Sequence, residues 1–468
     1  MKTRYLLVSL LLAGCAPVLR SGAPLTDQVA FPPEMKQTAK GLTQSTDNAL
    51  PEKWWQRFGD HNLDNAVETA LRSNPSLSAA RDRVARAQEE VSNAESLRYA
   101  HVNGVATIAH QELSKTGNHD IYNGKTSTIA TVLPFDLNYN LDLWGRNAEI
   151  IAATQASEAG IRARYRLTAL MLSASVIQTY FALEASNHLI ALQNSTIALL
   201  KDRLNLEAAG YSAGINTVRD DLAADATLHA EREKLALLQQ QNDALKYALL
   251  ALLGKAPGDN VAVSPELPMP DHFSIPGHLG INTLANRPDV QAAMWNVEKQ
   301  KHLERVAQKA FYPDINLFAL AGFNSFIGLH DLFQPESGTY AYGPAINLPI
   351  FEGGALESRF NAQEDAYDAA VHEYNQSVLN AARQVAGAIS GLEHNRVRLD
   401  EETDTLKLKI SSASVAEAGF SSGVTGKLPW IVSAVEVNRE QMQHLHKNLD
   451  WLNSMTIVAT TLGGGFGK

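Results

Sequence analysis

Residues 128–143 read TIATVLPFDLNYNLDL. Odd positions carry Ile129, Leu133, Phe135, Leu137, Tyr139, Leu141 and Leu143, while even positions carry Asp136, Asn138, Asn140 and Asp142. A period of two predicts a strand with one face fit for lipid and one for water. Residues 313–324 and 339–351 alternate in the same way, through Ile315, Leu317, Ala319, Ala321 and Phe323, and through Tyr340, Tyr342, Ile346, Leu348 and Ile350. A fourth strand is expected at about 101–111, and a polar, turn-rich segment separates the members of each pair. Four strands are poor for a sandwich and too few for a barrel, which starts at about eight. The chain therefore shares a barrel with copies of itself or forms none.

The rest of the pattern is helical. No proline occurs between Pro134 and Pro257 or between Pro349 and Pro429. Residues 146–208 can run as one helix, about 95 Å long at about 1.5 Å per residue. Val176, Leu183, Ile190, Ile197 and Leu204 form one apolar heptad along it, and Ala185, Leu192, Leu199 and Leu206 form another. The second lies two positions on, about 200° around the helix, so the two seams are nearly opposite. That arrangement suits a helix with a neighbour on each side, as in the wall of a cylinder. Burial within a large bundle is the plainer alternative.

The pattern then recurs. EAAGYSAGINT (207–217) is answered by AEAGFSSGVTG (416–426), and the first heptad by Val385, Leu392, Leu399, Leu406 and Ala413. Asn74-Pro75 is matched by Arg287-Pro288, and Gly254 by Gly463. Each copy reads as helix, strand pair, long helix, turn, return helix. Helices at 75–97 and 217–253, stacked end to end, match the long helix in length and form an antiparallel hairpin with it. Gly210, Gly214, Gly419 and Gly423 supply the helix stops and reversals at the distal tips.

The N-terminus changes where this machine is placed. Lys2 and Arg4 precede an apolar YLLVSLLLA run, too short to span a bilayer, and Leu12-Ala13-Gly14-Cys15 matches a bacterial lipobox. The single cysteine of the chain stands where acylation needs it. Cleavage after residue 14 would move the formal charge from −10 to −12, which argues against nucleic acid as a partner. No run of about 18 consecutive apolar residues follows.

With the lipobox, PEKWWQRFGDHNLDNAVETAL (51–71), NPSLSAA (74–80), NLDLWG (140–145), NLPIFEGG (347–354) and the twin tips, the chain resembles the TolC-like outer-membrane efflux channels, in their lipidated OprM/VceC-type branch. The resemblance covers nearly all of the mature chain. It implies a mainly α fold with a small β part: a homotrimer in which long α-helical hairpins form a trimeric α-barrel below a shared 12-stranded transmembrane β-barrel. It also implies two internal structural repeats and passive export from a periplasmic membrane-fusion adaptor and an inner-membrane transporter.

The expected layout is a lipoprotein signal peptide (1–14), an anchor and collar segment (15–60), repeat 1 (61–254, tip turn 209–217), a Pro- and Gly-rich collar linker (255–280), repeat 2 (281–463, tip turn 418–430) and a tail (464–468). Trp54 and Trp55 are expected as collar anchors.

The same resemblance assigns Ala213, Gly214 and Ile215 with Ser422, Gly423 and Val424 to the tips that meet the adaptor. Asp220 matches an acidic residue that closes the tip, and Asp221 adds a second charge. The plainer reading of both is a solvated acidic helix start. Phe420 replaces a tyrosine that relatives use to hold the aspartate. We expect Lys427 to take over that role toward Asp220 or Asp221, with Trp430 sealing or docking the tip. Glu436 and Arg439 resemble a second gate pair.

Enzyme motifs are missing: there is no HExxH or GxSxG, and GGGFGK (463–468) lacks the Ser or Thr of a P-loop. His444 and His446, two apart on a helix, face different sides and suit no metal. The only expected addition to the chain is a covalent lipid on Cys15. The competing reading is a periplasmic coiled-coil lipoprotein acting as adaptor or scaffold.

Overall fold

The computed structural model describes residues 17–19, 22–26, 42–45, 51–112, 114, 116, 126–215, 217–270, 273–276, 281–326 and 328–465. The signal peptide and Cys15 lie outside them. The chain divides into two compact units, one of residues 1–25, 84–161 and 293–374, the other of residues 26–83, 162–292 and 375–468.

The first unit holds the sheet. Strands β2 (His101–Glu112), β3 (Thr126–Asn140), β5 (Asp314–Ser325) and β6 (Gly338–Asn347) pair antiparallel in the order β2-β3-β5-β6. Two expected strands end early. β3 stops at Asn140 because Asp142 turns the chain into a helix, its carboxylate accepting from the Asn147 and Ala148 amides at 2.8 and 3.0 Å. β6 stops at Asn347 because it faces Asp314, the first residue of β5, so Leu348 and Ile350 have nothing to pair with.

The register corrects the expected faces. Between Val132 and Phe135 the ladder with β5 advances three residues on β3 but two on β5, and the ladder with β2 slips at the same place. One extra residue at Pro134 makes a β-bulge and reverses the parity of everything before it. Ile129 and Leu133 therefore share a face with Asp136 and Asn138, and the expected single stripe is broken. Val132 and Ala130 take their places beside Phe135, Leu137, Tyr139, Leu317, Ala319 and Phe323. From Val132 to Tyr139, and across β5 to β6, that face is apolar, whereas His110, Thr128 and Ser325 make its far end polar; Tyr340 and Tyr342 on it are each 78% exposed.

Leu137→Arg should thus cost about 2–4 kcal/mol near the middle of a bilayer, while Leu133→Arg and Asn138→Arg should be mild. Heat-resistant oligomer recovered from membranes measures this. Equal losses at Leu133 and Leu137 would contradict the register.

The second unit holds a short parallel pair that the sequence had not suggested, β1 (Leu42–Ser45) with β4 (Phe273–Pro276), and the helices are divided between the two units. Helices α1 (His61–Ser73) and α2 (Pro75–Glu95) begin at side-chain caps, Asp60 and Asn74. α3 (Arg146–Ser212) and α7 (Ala355–Ser421) have 67 residues each, and α4 (Val218–Leu252) and α8 (Lys427–Thr461) have 35 each. α6 (Pro288–Lys309), after the single turn α5 (Ile281–Ala285), completes the set.

Asn74 Nδ2 donates to the last carbonyl of α4 at 2.9 Å, and Arg287 Nη1 to the last carbonyl of α8 at 2.7 Å. Each return helix thus ends on the start of α2 or α6, as end-to-end stacking requires. Trp54 and Trp55 are buried and packed edge to face.

One stretch of α3 is apolar enough in composition to cross a bilayer, yet 61% of it is buried inside the protein. Its Ile197 and Leu200, on one face, pack with Leu228 of α4 and with Ile431 and Val435 of α8.

Within that helix Glu184 is 1% exposed, and among the described residues neither carboxyl oxygen has a hydrogen-bond partner. Burial, with the charge of Asp60 adding, pushes its carboxyl up from 4.5 to about 8. A raised carboxyl favours folding while protonated and loses that contribution as pH rises from 4.5 through about 8. The cost to the native state by pH 9 is at most about 5 kcal/mol, at about 1.4 kcal/mol per pH unit. Glu184→Gln should melt with wild type at pH 5 and above it at pH 9, measured by circular dichroism in detergent.

Candidate functional site

The distal tips are built from local chemistry. α3 runs past the expected stop at Gly210, whose carbonyl accepts from the Ile215 amide at 2.8 Å while Gly214 donates to the Tyr211 carbonyl at 2.9 Å. The second tip repeats both bonds, Val424 to Gly419 at 2.9 Å and Gly423 to Phe420 at 3.0 Å. Two crossed bonds around a left-handed glycine make a Schellman stop, and Gly214 and Gly423 have φ of +73° and +75°. The turns are therefore tighter than the expected 209–217 and 418–430, and each lifts an aliphatic residue to its apex: Ile215 and Val424 are both 80% exposed. Ala213 and Ser422 are exposed beside them.

Asp220 is a capping residue in this chain. Its Oδ2 accepts from the Thr217 hydroxyl and amide at 2.6 and 3.0 Å, closing a capping box on α4. The Thr217 hydroxyl, then its amide, holds the carboxyl below its ordinary value. Lys427 does not meet Asp220 or Asp221. Its Nζ lies 2.8 Å from Asp202 on α3 and 5.8 Å from the centre of the Trp430 ring. The reason is register: Lys427 opens α8, which packs on α3, whereas Asp220 is folded back onto its own cap. Trp430 stacks on Phe420 at 5.9 Å and packs against the apolar cluster of α3, α4 and α8. Phe420 has no hydroxyl, and its described ring contact is this stack.

Glu436 and Arg439 are not partners either. One helical turn apart but turned to different neighbours, they bond Lys409 of α7 at 3.1 Å and Glu231 of α4 at 3.3 Å. Glu231 is the centre that the sequence did not reveal. It is 5% exposed and accepts from Gln193 of α3 at 2.8 Å, from Lys234 at 2.9 Å and from Arg439 of α8. Burial raises its carboxyl, but the hydrogen bonds from Gln193 and Lys234 and the charges of Lys234 and Arg439 outweigh that and hold it below its ordinary value. Asn438, buried on α8, adds donors to Ser195 and Thr196 of α3. Three helices are therefore tied by polar contacts a few turns above an exposed apolar tip.

The model of the outer membrane efflux protein family matches residues 66–255 and 280–464. The chain belongs to that family. Among its relatives, the Escherichia coli (strain K12) multidrug resistance outer membrane protein MdtP is 26% identical over 478 residues, covering 99% of this chain and 97% of the relative. MdtQ of Escherichia coli O157:H7 is also 26% identical, with 98% and 96% covered. Among solved structures, the outer membrane protein VceC of Vibrio cholerae aligns with a TM-score of 0.77 at 26% identity, covering 89% of this chain and all of that one. The Campylobacter jejuni CmeC outer membrane channel aligns at 0.85, with 97% and 95% covered and 19% identity, a likeness of fold.

As a member of the outer membrane efflux protein family, the chain is an outer-membrane exit channel for efflux, TolC-like in fold and resident in the Gram-negative outer membrane. The family is one of channels, not enzymes, which decides against the scaffold reading. No signal in the sequence pointed to Glu231 or Asp202, because neither stands in a motif and the cations that reach them from α8, Arg439 and Lys427, are 208 and 225 residues away.

Proposed function

We propose that three copies of the chain close one 12-stranded barrel in the outer membrane above a helical tube. This trimer, acylated at Cys15, passively conducts small molecules from a periplasmic adaptor and an inner-membrane transporter to the outside. The observation that carries the reading is the sheet: one face is apolar over most of its length, and β2 and β6 each pair on one side only among the described residues. Four strands with two open edges cannot close alone, and closed rings remove edges. The matched helix lengths support two internal repeats, each ending in one tip.

The relatives' names suggest drugs as cargo. Ala213, Gly214 and Ile215 with Ser422, Gly423 and Val424 form the proposed adaptor contact. Lys427, Trp430, Phe420 and Arg439, with Asp202 and Glu231, form the proposed closure of the tip; Asp220, Asp221 and Glu436 shape its charge.

Paired cysteines, one on the outer edge of β2 and one on that of β6, test the assembly. Oxidation should give covalent trimers on a detergent gel and nothing larger. Ladders beyond three, or monomers only, would overturn it. Cys15→Ser should abolish palmitate labelling.

A further inference from the structure

At their Asn140 and Asp314 ends, strands β3 and β5 border a cavity of about 220 Å³ within the first unit. The rings of Trp144 and Tyr312 stack beside it at 5.1 Å, and Trp144 is fixed by an indole bond of 2.8 Å to the Pro313 carbonyl. Arg146, the first residue of α3, lines it and is exposed, with no ion pair among the described residues. Lys309 also lines it, its Nζ held by the Gly145 carbonyl and Glu149 at 3.1 and 2.9 Å.

Two aspartates are present, but both are already engaged. Asp142 accepts from the Asn147 and Ala148 amides, and Asp314 from Asn140. Ile315 lines the cavity and is also the first residue of the apolar sheet face.

An unpaired guanidinium, a stacked aromatic pair and an apolar wall meet here at the edge of the lipid-facing strands. Arginine suits phosphate oxygens, and aromatic rings settle at headgroup level. The cavity lies mainly at the ends of the two central strands, each paired on both sides, with His101 at the start of the edge strand β2 also lining it; neighbouring copies of the proposed barrel would join at β2 and β6.

We infer that this cavity takes the phosphate headgroup of an anionic phospholipid of the periplasmic leaflet, with the acyl chains lying along Ile315, Leu317 and Tyr139. The inference rests on the proposed reading that this sheet face meets lipid.

The test uses the full-length protein. First, insertion into phosphatidylcholine vesicles is verified; failure there removes the barrel reading and this inference together. Native mass spectrometry in detergent then compares retention of phosphatidylglycerol and phosphatidylcholine. Wild type should prefer phosphatidylglycerol, and Arg146→Glu, which the helix N-terminus tolerates, should cut its retention about fivefold to tenfold. Retention of phosphatidylcholine should not change. Arg146→Gln should fall between.

An inserted protein that shows no preference, or equal retention by wild type and Arg146→Glu, overturns the inference while sparing the barrel. Loss of the preference in millimolar inorganic phosphate would mean a site for free anions. A photo-crosslinker at Leu143 that labels a second copy rather than lipid would mean a subunit interface. Either result also overturns it.

Discussion

Glu231→Ala is expected to raise single-channel conductance in planar bilayers several-fold and to lower the melting temperature of the helical part. The carboxylate joins α3, α4 and α8 at one point, through Gln193, Lys234 and Arg439. Removing one partner of a buried pair strands the others, at a cost of about 3–5 kcal/mol. The low end applies because Arg439 is half exposed and water can take over part of its solvation. If three subunits act together, a loss of about 3 kcal/mol in each favours an open tip strongly.

Glu231→Gln keeps the shape and an acceptor but no charge, and should lie between the two. Lys427→Glu breaks a pair with Asp202 in which both side chains are partly exposed. It should cost at most about 1 kcal/mol and open the channel less. Conductance unchanged in Glu231→Ala, with stability reduced, would make this network a structural rivet and place the gate elsewhere.

Gly322→Ala should lower the yield of heat-resistant oligomer at least tenfold. Gly322 lies against the bulge of β3, where an added methyl carbon would sit 2.2 Å from the Val132 carbonyl oxygen, 2.8 Å from Leu133 Cα and 3.0 Å from Pro134 Cδ. These are mainly backbone atoms, so no rotamer change relieves the contact. Either the bulge straightens or the β3–β5 ladder opens. Overpacking of this kind costs about 1–3 kcal/mol even where side chains can adjust, and a proposed barrel of three copies would carry it three times. Gly343→Ala is the control: its methyl carbon would meet only the Phe318 ring, at 3.8 Å, and assembly should be normal. Normal assembly of Gly322→Ala would mean that the bulge is soft and that the faces assigned from it can slip.

Much was legible along the chain because it rests on local rules. The two 67-residue helices follow from long runs without proline, and the tips follow from glycines at the one position where φ must be positive. Asp60, Asn74 and Thr217 fix helix starts with their own side chains, within three residues. The alternation in β3 and β5 identified strands and an apolar face. A period of two is imposed by the pleat itself.

What the sequence could not settle was decided by neighbours. The bulge at Pro134 exists only relative to β2 and β5, and it moved Ile129 and Leu133 to the polar face without altering a letter of the pattern. The partners of Lys427 and Arg439 depend on how far α8 slides and turns against α3 and α4. A shift of one residue turns a side chain by about 100° around its helix, enough to exchange one carboxylate for another. Segment types and helix ends are thus written in short-range backbone chemistry, whereas strand ends, faces across a bulge and ion pairs across 200 residues are set by packing, which only the folded chain defines.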